Sequence, residues 1–139
     1  MLRKLARRLT RRRLGDEGER LAVAYLKGLG YRVVATNLHV PLGRSASGRA
    51  VIGEVDVVAY DGATLAFVEV KTRRREGLVA TERAVDARKR RLLARAARRY
   101  RGLFGVAHDP YRFDVVTVLA PPDAAPKVRL TRGYFSDRR

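Results

Sequence analysis

Residues 53–71 read G-E-V-D-V-V-A-Y-D-G-A-T-L-A-F-V-E-V-K, and the way this stretch folds decides the rest of the chain. Val55, Val57 and Ala59, then Ala66, Val68 and Val70, put apolar side chains at alternate positions. Asp61-Gly62 between them is a turn signal. The pattern predicts a β-hairpin with one apolar face, whose other face carries Glu54, Asp56, Glu69 and Lys71. Side chains alternate along a strand, so Glu69 and Lys71 point the same way. A loop over 61–64 sets Tyr60 opposite Leu65 and Asp56 opposite Glu69, whereas a loop two residues shorter sets Asp56 opposite Phe67. Either even loop keeps Asp56 and Glu69 on one face; only an odd loop separates them.

Like charges facing each other across a strand pair destabilise the sheet, so something has to offset the two carboxylates. A divalent cation does so naturally. Mg²⁺ takes oxygen ligands, commonly one or two carboxylates with waters and substrate phosphate oxygens, and a cation held there can polarise a phosphoryl group. Lys71, beyond Glu69 on the same face, is placed to hold an attacking water or to neutralise charge on the phosphate. The spacing alone equally fits a solvated E-x-K strand face with a surface ion pair, and the rest of the chain has to decide.

The chain has 139 residues, 46% of them hydrophobic and 32% charged, which suits one globular domain with a real core. It has no cysteine, hence no disulfide, thiolate metal site or cysteine nucleophile, and a cytoplasmic location is expected. No apolar run approaches the ~20 residues of a membrane span. The two histidines, His39 and His108, are too few for a histidine-rich zinc site. A net charge of +17 points to a polyanionic partner. Nucleic acid, DNA first, is favoured over an acidic membrane surface because the basic residues run through the whole body of the chain.

Residues 1–14 form a basic arm, with Leu2, Leu5, Ala6 and Leu9 at helical spacing. A helix is predicted over 16–29, with Asp16 as N-cap, Glu19 at N3, and Leu21, Ala22, Tyr25, Leu26 and Leu29 as its buried stripe. Capping is the plainer role for Glu19; reaching over a metal is the alternative. Residues 31–37 are predicted as a strand. Residues 38–51 read as an extended loop or splayed hairpin tip, where Arg44 and Arg49 are candidate phosphate contacts. Arg73, Arg74 and Arg75 follow the central hairpin. A second helix is predicted from a Thr81 cap to 101, apolar at Val85, Leu92, Leu93, Ala96, Ala97 and Tyr100. Its exposed side is basic, with Arg88, Lys89, Arg90, Arg91, Arg95, Arg98 and Arg99. Like charges at i,i+4 weaken a helix, so a phosphate backbone along it relieves a real cost. A strand over 111–119 follows, with Asp114 balancing positive charge. Residues 121–139 are an extension in which 128–130 read as a short edge strand and Tyr134-Phe135 dock the tail.

The order α-β-β-β-α-β predicts an α/β fold. The helix between the third and fourth strands makes those two parallel, giving a mixed sheet flanked by helices with the acidic residues together at one sheet edge. These motifs carry a resemblance. G-D-E-G-E-R-L-A at 15–22, G-E-V-D-V-V-A at 53–59, F-V-E-V-K-T-R at 67–73, A-V-D-A-R-K-R-R-L at 84–92 and R-F-D-V-V at 112–116 together resemble the YraN family. That family is similar to restriction-endonuclease-like proteins and, among them, to archaeal Holliday junction resolvases. The match spans about 15–119, and the domain is taken as 15–120. The stretch over 40–52 is longer than the compact connection of that family.

The resemblance implies a restriction-endonuclease-like core with Asp56, Glu69 and Lys71 as the D…E-x-K nuclease signature, and Val70 offering its carbonyl to the metal. It also implies a site role for Glu19 on the first helix and a supporting one for Glu54. The resulting expectation is a Mg²⁺- or Mn²⁺-dependent endonuclease hydrolysing DNA phosphodiester bonds, with branched or junction DNA a candidate substrate. Arg44, Arg49, Arg73, Arg74, Arg75, Arg88, Lys89, Arg91 and Arg95 would contact the backbone. Cutting a junction on two strands asks for a homodimer. The alternative is a non-catalytic nucleic-acid-binding module that keeps the fold and the charge.

Overall fold

The computed structural model describes residues 16–74 and 80–137. The basic arm and Arg75 lie outside the described residues.

Strands β2 (Ala50–Asp61) and β3 (Thr64–Arg73) form the expected hairpin, antiparallel, with Tyr60 opposite Leu65. The turn is Gly62-Ala63, one residue later than the turn signal suggests, because Asp61 still pairs with Thr64. Gly62 has φ 59°, which glycine adopts at no steric cost in such turns. Asp61 is kept in the ladder by Arg112, whose Nη2 donates to its carboxylate at 2.8 Å.

With β1 (Arg32–Arg44), β4 (Tyr111–Leu119) and β5 (Lys127–Phe135), the hairpin builds a five-stranded sheet in the order β1-β2-β3-β4-β5. Helix α1 spans 16–28 and helix α2 spans Ala80–Leu103. α2 joins β3 to β4 in parallel, as its place in the order requires, while every other neighbouring pair is antiparallel. Asp16 and Thr81 both lie within helical residues, so neither is a cap preceding its helix.

The alternation of the central strands sorts the core into two layers. Under α1, Ala22 and Leu26 pack with Val57, Ala59, Ala66, Val68, Val116 and Val118; under α2, Leu93, Ala96, Ala97 and Tyr100 pack with Val58, Leu65, Phe67 and Phe113. Phe67 is fully buried and meets Tyr100 edge-on at 5.7 Å. Burying one such ring stabilises by about 1.5–3 kcal/mol.

One expectation about that alternation fails. Val55 belongs to the α2 layer although Val57 belongs to the α1 layer. The exchange coincides with Asn37, at φ 50°, which sits between the β1 partners of those two valines and therefore opposite Asp56. A left-handed residue inside a strand turns the chain, and asparagine tolerates it better than most. Beyond this point β1 and β2 continue as an arm leaning on α2. A Cβ on Gly53 would stand only 2.8 Å from Ala96 Cβ and 3.2 Å from the Leu92 carbonyl, so glycine there lets the arm lie against the helix.

Two further corrections concern length. Residues 38–44 and 50–52 are strand, not loop, and the hairpin tip is confined to 45–49. Pro41 and Gly43 hide the strand from a periodicity argument, yet the pairs Leu38–Val55 to Pro41–Ile52 form, with an irregularity before Arg44. β5 runs nine residues and includes Tyr134 and Phe135, well beyond the short strand expected.

A polar cluster ties the start of β1, the end of β2, β4 and β5 together. Asp114 is completely buried. It accepts from Arg112 Nε (2.7 Å) and Nη2 (2.9 Å), from the Gly133 amide (3.0 Å) and from the Tyr31 hydroxyl (3.1 Å). Asp114 thus balances positive charge as its place in R-F-D suggested. Among the described residues no helix is long and apolar enough to cross a membrane.

Candidate active site

The β2–β3 ladder stops at Val57–Val68. The next residue of β2, Asp56, reaches across with its side chain instead: Oδ2 accepts from the Val70 amide at 2.8 Å. This fixes one carboxylate oxygen and brings Asp56 beside Glu69. Glu54, Asp56 and Glu69, with Lys89 and Leu93 of α2, line a depression of about 80 Å³, enough for a cation with several waters. The two carboxylates meet under the basic helix, but on interior strands and not at the sheet edge expected.

The electrostatics of the pair follow from its half-buried position. Burial pushes the Asp56 carboxyl above its ordinary range; the Val70 hydrogen bond and Lys89 oppose the rise, and Glu19 and Glu54 add to it. Burial likewise raises Glu69, against Lys71 and Lys89, with Asp56 and Asp86 adding to the rise. Glu69 has no hydrogen-bond partner among the described residues. Two half-buried carboxylates, one of them without a hydrogen-bond partner among the described residues, offer oxygen ligands only. Such a set fits a hard divalent cation, which needs only one or two carboxylates alongside water and substrate oxygens.

Lys71 has its own holders, neither of them assigned to the site from the sequence. Its Nζ donates to Asp86 Oδ2 at 2.7 Å, each side chain being only 11% exposed. It also lies 5.1 Å from the Tyr134 ring centre. Burial works to lower the Lys71 pKa, but the Asp86 hydrogen bond and the Glu69 charge outweigh it and the net direction is upward. Lys71 is therefore a cation at neutral pH. Tyr134 is braced in turn by Arg90, whose Nη2 donates to its hydroxyl at 2.7 Å. The signal for Asp86 was its place in A-V-D-A-R-K-R-R-L, five residues after the helix cap expected at Thr81. For Tyr134 there was only the expectation that Tyr134-Phe135 dock the tail, beyond the edge strand expected over 128–130.

Glu19 is brought near by packing. A Cβ on Gly18 would collide with Thr72 Oγ1, so glycine lets the first turn of α1 rest on β3 just past Lys71. Burial raises the Glu19 pKa, Asp16 and Glu54 add to it, and a hydrogen bond with the Asn37 side chain opposes. Glu19 thus interacts with both Glu54 and Asp56 yet does not line the depression. Among the described residues no three His, Asp or Glu groups converge at metal-binding spacing. Glu54 lies 3.3 Å from His39 Nε2, its neighbour across the ladder.

Of the basic residues, Arg88, Lys89, Arg91 and Arg95 are exposed on α2, and Lys89 enters the depression itself. Arg74 is exposed beyond β3, whereas Arg73 is half-buried and donates to the Thr72 carbonyl at 3.4 Å. Arg44 is turned onto its own hairpin tip, donating to the Gly48 carbonyl at 2.8 Å, and Arg49 is exposed there.

The profile described as "Uncharacterised protein family UPF0102" matches residues 18–118, from α1 to β4. The chain belongs to the UPF0102 family, the YraN family of the resemblance. It is 42% identical over 124 residues to a UPF0102 protein of Symbiobacterium thermophilum, covering 89% of this chain and 97% of that one. It is also 42% identical over 139 residues to a UPF0102 protein of Solibacter usitatus, covering 97% and 98%. A UPF0102 protein of Geotalea uraniireducens is 38% identical over 122 residues, covering 88% of each. The UPF0102 match contains every residue lining the depression, together with Glu19, Lys71 and Asp86; β5 with Tyr134 lies beyond it.

Proposed function

We propose that this UPF0102 protein is a metal-dependent endonuclease that hydrolyses phosphodiester bonds in DNA, branched or junction DNA included. The observation that carries the reading is the meeting of Asp56 and Glu69 at one small depression, with Lys89 beside them, Lys71 next along β3 and Glu69 without a hydrogen-bond partner among the described residues. In this reading Asp56 and Glu69, with the Val70 carbonyl that the family resemblance implies, hold Mg²⁺ or Mn²⁺, and Glu19 assists through water. The cation would supply Lewis-acid polarisation of the phosphoryl group. Lys71, held by Asp86, orients the attacking water or neutralises charge gathering on the phosphate oxygens. Water adds to phosphorus, the bond to the leaving oxygen breaks, and that oxygen takes up a proton.

Lys89 stands where the scissile phosphate would enter, and the basic face of α2 continues as a track for the backbone. The test is a nuclease assay with Mg²⁺ or Mn²⁺ on junction, flap, duplex and single-stranded DNA, with Asp56→Ala and Glu69→Ala in parallel. Metal-dependent cutting by the wild type, lost in both variants, is the expected result. Cutting that survives both substitutions in clean preparations refutes the assignment.

A second reading has its own support: among the described residues no three His, Asp or Glu groups converge at metal-binding spacing, and Lys71 is already paired with Asp86. A non-catalytic binding module would show salt-sensitive DNA binding, no cutting on any substrate, and no metal-linked stabilisation.

A further inference from the structure

Towards its C-terminal end, α2 and Leu42 of β1 border a second, larger and open depression of about 550 Å³, lined by Leu42, Arg95, Arg98, Arg99, Gly102 and Leu103. Three arginines line it and none of its lining residues is acidic. Arg95 is oriented by a hydrogen bond from its Nη2 to the Leu42 carbonyl at 3.2 Å, which fixes one wall. Gly102 leaves the floor open, since a Cβ there would meet nothing within 4 Å.

The placement follows from helical spacing. Arg88, Arg91, Arg95, Arg98 and Arg99 fall on one stripe of α2, at i, i+3, i+7, i+10 and i+11. The stripe starts beside Lys89 at the carboxylate depression and ends in the arginine depression. A helix C-terminus carries partial negative charge, and cations near it are stabilising. That accounts for a basic residue in the last turn, such as Arg101. It does not by itself account for three more arginines lining one hollow within the two turns before Arg101, where their mutual repulsion is a cost that an anion would remove.

From Lys89 to the span of Arg95–Arg99 is six to ten residues, or about 9–15 Å along the helix axis at 1.5 Å per residue. Phosphates of one DNA strand advance about 3.4 Å along the axis per nucleotide. We propose that the arginine depression is a second phosphate-binding site, taking a backbone phosphate about three to four nucleotides away from the one at the carboxylate depression. The proposal rests on the reading of the first depression as the scissile-phosphate site. Guanidinium forks suit bidentate contact with phosphate, and the apolar walls at Leu42 and Leu103 suit the sugar beside it.

The test is binding, measured in EDTA so that chemistry plays no part, by fluorescence anisotropy on DNA duplexes of graded length and across a salt series. The variants are Arg98→Ala/Arg99→Ala and Gly102→Glu, the second placing a carboxylate in the hollow without a clash. For long duplexes both variants should flatten the dependence of log K on log salt by about 0.9–1.8, one to two phosphate contacts, with melting unchanged. On duplexes too short to span both depressions they should bind as the wild type does. An unchanged salt slope, or an equal loss on short and long duplexes, overturns the proposal. Cutting with an unchanged slope would sink this site and leave the nuclease reading standing. A flattened slope without cutting on any substrate would keep a phosphate site and remove the chemistry.

Discussion

Replacing Asp56 separates what its carboxylate does for the fold from what it does at the depression. Its contribution to the fold is one hydrogen bond, from the Val70 amide to Oδ2 at 2.8 Å. Asp56→Ala leaves that half-buried amide without its acceptor, which costs about 1–3 kcal/mol. Asp56→Asn keeps an acceptor and exchanges a charged hydrogen bond for a neutral one, a loss of about 1 kcal/mol. The same exchange removes a charge that burial, Glu19 and Glu54 all disfavour, which acts in the opposite direction. Without metal, Asp56→Asn is therefore expected to melt within about 1 kcal/mol of wild type, and Asp56→Ala below both.

With magnesium the order of stabilities spreads. A cation held by Asp56 and Glu69 at a hundredfold excess over its Kd stabilises the wild type by about 2.7 kcal/mol, on the order of 10 °C for a chain of this size. Asp56→Asn should gain little of this and cut no DNA. Thermal melts with EDTA and with a magnesium series, run side by side on the three proteins, check it. The reasoning is refuted if magnesium stabilises Asp56→Asn as much as wild type. It is equally refuted if Asp56→Asn loses ~3 kcal/mol or more in EDTA, which would make the carboxylate a structural anchor.

Other perturbations probe the surrounding architecture. Asp114→Ala leaves Arg112 with Asp61 as its remaining carboxylate and takes the acceptor from two further donors, the Gly133 amide and the Tyr31 hydroxyl, around a completely buried site, and should cost about 3–5 kcal/mol in urea unfolding; a cost under ~1 kcal/mol would show the cluster to be dispensable. Gly18→Ala should destabilise by about 1–3 kcal/mol, although alanine is the better helix former, because the new methyl meets Thr72; Thr72→Ala should restore most of the loss, and failure to do so would place the strain elsewhere. In EDTA the stability difference between wild type and Glu69→Gln should narrow as pH falls from neutrality. Burial holds the folded Glu69 pKa above its unfolded value, so the destabilisation is present above the folded pKa and is relieved as pH drops through it; widening would reverse the sign of the shift.

How much of this was legible in the sequence depended on the range of the interaction. That Asp56 and Glu69 share a face follows from strand parity alone, and the observed pairing of Tyr60 with Leu65 is one of the two registers the hairpin allowed. The parallel β3–β4 pair follows from the intervening helix. The arm over 38–44 was hidden because Pro41 and Gly43 interrupt the pattern while its main-chain ladder carries on regardless. The change of face at Asn37 was hidden as well, since a left-handed backbone leaves no periodic trace. Asp86 and Tyr134 reach Lys71 from 15 and 63 positions further along the chain, and only the folded chain brings them there. Among the basic residues, sequence gave no means of separating Arg44, turned onto its own hairpin tip, from Lys89, which enters the depression.

The two ends of the β2–β3 ladder divide the labour of the domain. At the Asp61 end the ladder is complete, and Arg112 and Arg132 bind the strand to the Asp114 cluster. At the Asp56 end the ladder has opened, one amide is served by a side chain, and like charges sit together half-buried. Five strand residues, about 16 Å, separate the ends, beyond the range over which perturbations ordinarily couple. Anchoring one end lets the other hold a strained arrangement of charge in place. The depression therefore sits where β2 leaves β3, and the polar cluster that keeps the fold lies at the far end of the same strand.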